Sequence, residues 1–255
     1  MFMSRDSVYK HREDYQNCWY KDVCEQSLSG DCHSTCNKFS QTDYMFQLSN
    51  LPKSMWRIIK LDDTKLKPET AEILNTIVSD INYFVVHGYN LFLYGLPGTG
   101  KTSWAIKLMN RFFASVAERN GFRTRGLFIS VPSFLRDAKL RITYKDDDYL
   151  EFLKDIQRCD VVIWDELEQT SPTNFESQWL YSFINERILA GKCNIFTSNK
   201  TPDELGVSDP LMKSRVCNSS DCLEITGPDR RKYNKYSYHM SAWEEQENGS
   251  DTSAE

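Results

Sequence analysis

Two kinds of segment are missing from this chain, and each absence removes a class of function. No apolar run is long enough to span a membrane, and Met1 to Arg12 is polar and charged without an apolar h-region, so neither a membrane anchor nor a secretory signal is expected. Cytoplasmic residence is the simplest expectation. There is no internal repeat, no low-complexity block before the C-terminal tail and no paired C-x-x-C knuckle. The last fifteen residues contain five acids (Glu244, Glu245, Glu247, Asp251 and Glu255) and no base. They account for the whole net charge of −5, because outside them 31 bases meet 31 acids. A neutral body with an acidic tail allows nucleic-acid contact at a local basic patch without demanding it, and residues 239–255 are expected to be disordered and solubilising.

What is present begins with length: 255 residues of ordinary apolar and charged content suffice for one sizeable α/β domain plus a small appendage. Gly95-Leu96-Pro97-Gly98-Thr99-Gly100-Lys101-Thr102 is a complete G-x-x-x-x-G-K-[ST] phosphate loop after the apolar run Leu91 to Tyr94. Glycines let successive backbone N–H groups turn toward phosphates, Lys101 reaches the β/γ oxygens, and the Thr102 hydroxyl can ligate Mg²⁺. The required helix follows: apolar residues recur at Trp104, Leu108 and Phe112, widened by Ala105, Met109, Phe113 and Val116, until Asn120-Gly121.

A buried strand, Val161-Val162-Ile163-Trp164, runs into Asp165-Glu166 and has the form of a Walker B segment. Asp165 is assigned to the metal and Glu166 to the base that polarises attacking water. A third apolar run, Cys193 to Ser198, ends in Asn199, whose amide at a strand tip can orient that water, like the first sensor of AAA+ ATPases.

Cys18, Cys24, Cys32 and Cys36 fall within nineteen residues at C-x5-C-x7-C-x3-C, and four thiolates can surround one Zn²⁺. His33 is a competing ligand, and free thiols or an iron–sulfur cluster are the alternatives. The other four, Cys159, Cys193, Cys217 and Cys222, are scattered. The expected organisation is a cysteine-bearing module at 1–48, a linker and helix at 49–88, an ATPase domain at 89–238 and the tail at 239–255. The helix of the second segment opens at Pro68 with a stripe of Ile73, Ile77, Ile81 and Phe84 and closes at His87-Gly88. Strands alternating with helices predict a parallel sheet covered on both faces.

Over roughly residues 50–235 the chain resembles the DnaC/DnaI-type helicase loaders of the AAA+ ATPases, and especially their bacteriophage relatives. The resemblance rests on Thr99 to Ala105, Phe128-Ile129-Ser130-Val131-Pro132, Trp164-Asp165-Glu166, Phe196-Thr197-Ser198-Asn199 and Leu211-Met212-Lys213-Ser214-Arg215. It implies a P-loop AAA+ fold and a small N-terminal zinc-binding module that contacts the helicase. It also implies a role for Arg215 as the finger reaching a neighbouring subunit's ATP, and a second-sensor arginine in Gly227-Pro228-Asp229-Arg230-Arg231, with Arg231 preferred and Arg230 in reserve.

The insert from Pro132 to Tyr149 resembles the extra helix of initiators and loaders. Its Arg136, Lys139, Arg141 and Lys145, beside Phe134, Leu135, Leu140 and Tyr144, could follow single-stranded DNA or simply form a solvated face. Arg123 and Arg125 are further candidates of that kind. The implied function is ATP-dependent loading of a hexameric replicative helicase in DNA replication, with self-association into a ring or spiral. An IstB-like ATPase helper of a DNA transposase and a nucleotide-binding adaptor without turnover are the alternatives.

Overall fold

The computed structural model describes residues 18, 24–33, 36–56, 61, 64–117, 123–143, 146–168 and 174–230. Five strands, β1 (Asn90–Tyr94), β2 (Gly126–Ser130), β3 (Val161–Asp165), β4 (Cys193–Ser198) and β5 (Asp221–Glu224), form one parallel sheet in the order β2-β3-β4-β1-β5. Parallel strands need crossovers, and helices supply them, so both faces are covered and the four inner and leading strands read as apolar runs.

Alternation along each strand divides the core into two layers. On one face α2 (Asn37–Leu48), α3 (Pro68–Ser79), α4 (Ile81–Val86) and α5 (Lys101–Val116) pack Phe46, Leu74, Trp104, Leu108 and Phe112 onto Leu91, Leu93, Ile163 and Ile195. On the other, α6 (Val131–Thr143), α7 (Asp147–Arg158), α8 (Asn174–Leu189), α9 (Pro202–Ser208) and α10 (Pro210–Val216) pack Phe134, Ile156 and Ile184 onto Phe92, Val162, Trp164 and Phe196. The expected stripe of α5 is wholly buried, and each large side chain removed from water there stabilises by about 1.5–3 kcal/mol. A single turn, α1 (Glu25–Leu28), precedes α2.

Two expectations fail for local reasons. The helix opening at Pro68 breaks at Asp80, whose φ −125° and ψ 46° are not helical, so the phase resets between α3 and α4. The buried set is therefore Thr70, Leu74 and Ile77 and then Ile81, Phe84 and Val85, while Ile73 is exposed. The insert after β2 forms two helices, and its Phe134 is core, edge-on to Trp164 and Phe183 at 6.2 and 5.7 Å between ring centroids. Phe134 is therefore closed to an incoming base. Tyr144 and Lys145 lie outside the described residues.

At the N-terminal edge of the sheet sits a guanidinium, that of Arg187, with no solvent exposure. Among the described residues it pairs with no carboxylate. It donates instead to the backbone carbonyls of Ile156, Cys159 (3.0 Å) and Cys193 (2.7 Å) and to Asn194 Oδ1 (2.8 Å). The first two carbonyls belong to the C-terminal end of α7, where the helix dipole is negative. Asn194 then bonds Asn90 Oδ1 at 2.9 Å through its side-chain amide, and Asn90 reaches Ser219 O at 3.1 Å, so one chain of bonds joins β4, β1 and the approach to β5. Burial pushes the neighbouring thiols up, Cys159 to about 11 and Cys193 to about 12, with Arg187 pulling the other way. Both stay protonated at neutral pH.

Among the described residues no three His, Cys, Asp or Glu side chains are grouped to hold a metal ion. Cys18, Cys24, Cys32 and Cys36 are each partly exposed, and the expected zinc site is not assembled there. No described helix is long and apolar enough to cross a membrane.

Replacing Arg187 by Met strands several buried carbonyls without donors. The expected cost is about 3–5 kcal/mol, read as a lower midpoint in urea unfolding; an unchanged midpoint would show that water replaces the guanidinium.

Candidate nucleotide site

The phosphate loop connects β1 to α5 at the C-terminal edge of the sheet, where open α/β sheets place their ligands. Gly98 has φ +81°, and a Cβ there would lie 1.9 Å from Asp229 Oδ1. Gly95, at φ +139°, is also closed to a side chain, since a Cβ there would lie 2.6 Å from the Ile225 carbonyl oxygen. Lys101 is the first residue of α5 and is buried. Its ammonium donates to Gly95 O and Leu96 O, each at 2.9 Å, and to Asn199 Oδ1 at 2.8 Å.

The neighbouring strand tips complete the cluster. Asp165, at the end of β3, accepts from Thr102 Oγ1 at 2.8 Å and from Thr197 Oγ1 at 2.7 Å. Burial raises its carboxyl above the ordinary value, and those two hydroxyls oppose the shift. Glu166 has φ +61°, a left-handed conformation that is costly for any residue with a side chain. Thr197 holds that turn from β4, its Oγ1 accepting the Glu166 N–H at 3.1 Å and its carbonyl the Leu167 N–H at 3.0 Å.

A cavity of about 300 Å³ opens beside the loop, lined among others by Gly98, Lys101, Thr102, Glu166, Asn199 and Arg230. The residues fit a nucleoside triphosphate with Mg²⁺: a glycine cradle at a helix N-terminus, a buried ammonium, and a hydroxyl and carboxylate oxygen side by side. Bound there, Mg²⁺ would be held by Thr102 and Asp165 and would neutralise phosphate charge.

The other sequence candidates divide. Arg230 lines the cavity, and its N–H bonds Gly98 O at 3.0 Å, whereas the preferred Arg231 lies outside the described residues. Arg215 is on α10, does not line this cavity, and its side chain has no hydrogen bond or ion pair among the described residues. Arg136 and Arg141 are exposed on α6, paired with Asp137 and Asp146 at 3.3 and 3.7 Å. Arg125 is not available to a ligand, being mostly buried, paired with Asp160 and stacked over Phe112. Arg123 is exposed, 3.6 Å from Asp160. Two residues escaped the sequence reading. Thr197 lay inside a run read only as strand, and Glu168, also at the cavity, follows Asp165 by three residues, a spacing that was a usable signal.

Replacing Gly98 by Ala adds left-handed strain of about 1–2 kcal/mol and the clash with Asp229. ATP affinity is expected to fall at least about tenfold in a fluorescent-nucleotide titration; wild-type affinity would mean the loop does not hold the phosphates.

The chain has relatives among replication proteins. It is 27% identical over 143 residues to the chromosomal replication initiator protein DnaA of Ureaplasma parvum serovar 3, a match covering 56% of this chain and 30% of that initiator's length. The crystal structure of the DnaC helicase loader superposes with a TM-score of 0.54 at 20% identity, covering 69% of this chain and all of that one. DnaI superposes with a TM-score of 0.53 at 22% identity, covering 71% and 94%. At such identities the two structures show a shared fold. The profile of one family matches residues 16–236, nearly the whole chain, and this protein belongs to it: the IstB-like ATP binding proteins.

Proposed function

We propose that this chain is an ATP-hydrolysing loader of a hexameric replicative DNA helicase, working on single-stranded DNA. The observation that carries the ATPase part is the convergence of Lys101, Thr102, Asp165, Glu166 and Asn199 on one cavity. Glu166 takes the proton of the attacking water while Asn199 orients that water. Arg230 answers phosphate charge from the same chain. Arg215, which is not among the residues lining its own cavity, serves the nucleotide of an adjacent copy, so turnover requires side-by-side assembly in a ring or spiral. Exposed Arg136 and Arg141 offer a backbone-binding face for single-stranded DNA. The helicase is carried over from the DnaC loader, the replication setting from DnaA, and residues 1–48 are assigned to the helicase contact.

A second reading is favoured by the family match itself: an IstB-like ATPase that assists a DNA transposase. Size-exclusion with light scattering, on the protein mixed with a bacterial replicative helicase, ATP and Mg²⁺, separates the two. A complex supports the loader. DNA-stimulated ATP hydrolysis with no helicase complex transfers the assignment to the transposition helper.

Glu166→Gln is expected to keep ATP binding and lower kcat by about 10²–10⁴-fold. Arg215→Ala is expected to leave ATP affinity of the isolated chain unchanged and to lower kcat by about 10³-fold in the assembled state. Equal loss of binding in both would show that the two residues act in folding rather than in turnover.

A further inference from the structure

Three acids close the turn after β3, and the proposed reaction uses only Asp165 and Glu166. The third, Glu168, lines the same cavity. Its Oε1 accepts from Asn199 Nδ2 at 2.5 Å, and its Oε2 is buried with no hydrogen-bond partner among the described residues. Asn199 is thus held at both ends, because its Oδ1 accepts from Lys101 Nζ at 2.8 Å. An ammonium can only donate and a carboxylate can only accept, so the amide between them has one allowed orientation: nitrogen toward Glu168, oxygen toward the phosphate loop.

The two holds are not equivalent. Lys101 has three protons, which meet Gly95 O, Leu96 O and Asn199 Oδ1. A phosphate oxygen bound in the loop competes for that same ammonium. Glu168 faces no such competitor of its own charge, since an anionic phosphate and a carboxylate repel. Where Lys101 turns to phosphate, Glu168 is left to fix the amide.

We infer that Glu168 is a positioning residue for ATP hydrolysis, holding the Asn199 amide with its carbonyl oxygen toward the cavity, where it accepts a hydrogen bond from the attacking water. The inference rests on the ATPase reading above. It also says what Asn199 does: its oxygen acts, and its nitrogen is occupied. The need is for an acceptor at position 168 and not for a negative charge. Glutamine offers that acceptor at nearly the same size, whereas methionine fills the space without it.

The test compares steady-state ATP hydrolysis and AMPPCP affinity in wild type, Glu168→Gln, Glu168→Met, Asn199→Ala and the Glu168→Met/Asn199→Ala double variant. AMPPCP affinity is expected to stay within about twofold throughout the Glu168 variants, and Glu168→Met is expected to lower kcat by about 10²-fold, as misplacement of a reacting group does. Glu168→Gln should retain most of the wild-type kcat. The double variant should be no slower than Asn199→Ala alone, since Glu168 acts through Asn199. Wild-type turnover in Glu168→Met, equal losses in the Met and Gln variants, multiplying losses in the double variant, or a matching loss of AMPPCP affinity would each overturn the role. A wild-type protein that binds AMPPCP but hydrolyses no ATP in any assembly would instead overturn the underlying ATPase reading, and the role of Glu168 with it.

Discussion

A buried guanidinium without a carboxylate sets the register on which the nucleotide cavity depends. Arg187 takes its acceptors from the last carbonyls of α7, the first residue of β4 and the side chain of Asn194. The charge is balanced by the aligned dipoles of a helix end and by several good hydrogen bonds. Through Asn194 and Asn90 the same bonds lock β4 against β1. A slip of one residue would turn every core side chain to the wrong face. At the far ends of those strands, about 17–20 Å away for strands of this length, it would also separate Asp165 from Thr102 and Asn199 from Lys101.

The cavity has its own balance of charges. Lys101 and Asp165 are both largely removed from water, where an ion without partners would be expelled or neutralised. Neutral oxygens and hydroxyls of nearby chain answer both: three oxygens for the ammonium, two threonine hydroxyls for the carboxylate. Such partners hold the charges in place without cancelling them, which leaves net field for phosphate and metal. Thr197 is central to this, because one side chain serves Asp165 and the backbone of Glu166 together.

Local rules made much of this legible. A phosphate loop is a backbone device with fixed residue types, and a strand ending in acids beside it has few other uses, so Gly95 to Thr102, Asp165 and Asn199 declared themselves. The strand and helix alternation carried the parallel sheet for the same reason. What escaped depends on distance in space. Nothing near Asp80 announces that the helix breaks there, and the phase error at Ile73 follows from that one residue. Phe134 looked like a ligand-facing group because sequence does not say which side of a helix meets the sheet, and Arg125 because its pairing with Asp160 spans 35 positions; both proved to be packed. The four clustered cysteines suggest a metal by spacing alone, and among the described residues no group that could hold one is assembled. Glu168 had its spacing from Asp165 to mark it, but what it holds became visible only through its bond to a residue 31 positions away.

The left-handed backbone at Glu166 puts stability and activity at odds within a single residue. A side chain in that conformation costs about 1–2 kcal/mol, and glycine would remove the strain while removing the carboxylate. A copy of this gene released from selection for turnover would therefore meet little resistance at position 166, since the first substitution to appear there could improve folding. On the proposed ATPase reading, a glutamate in so unfavourable a conformation serves the chemistry at the expense of the fold.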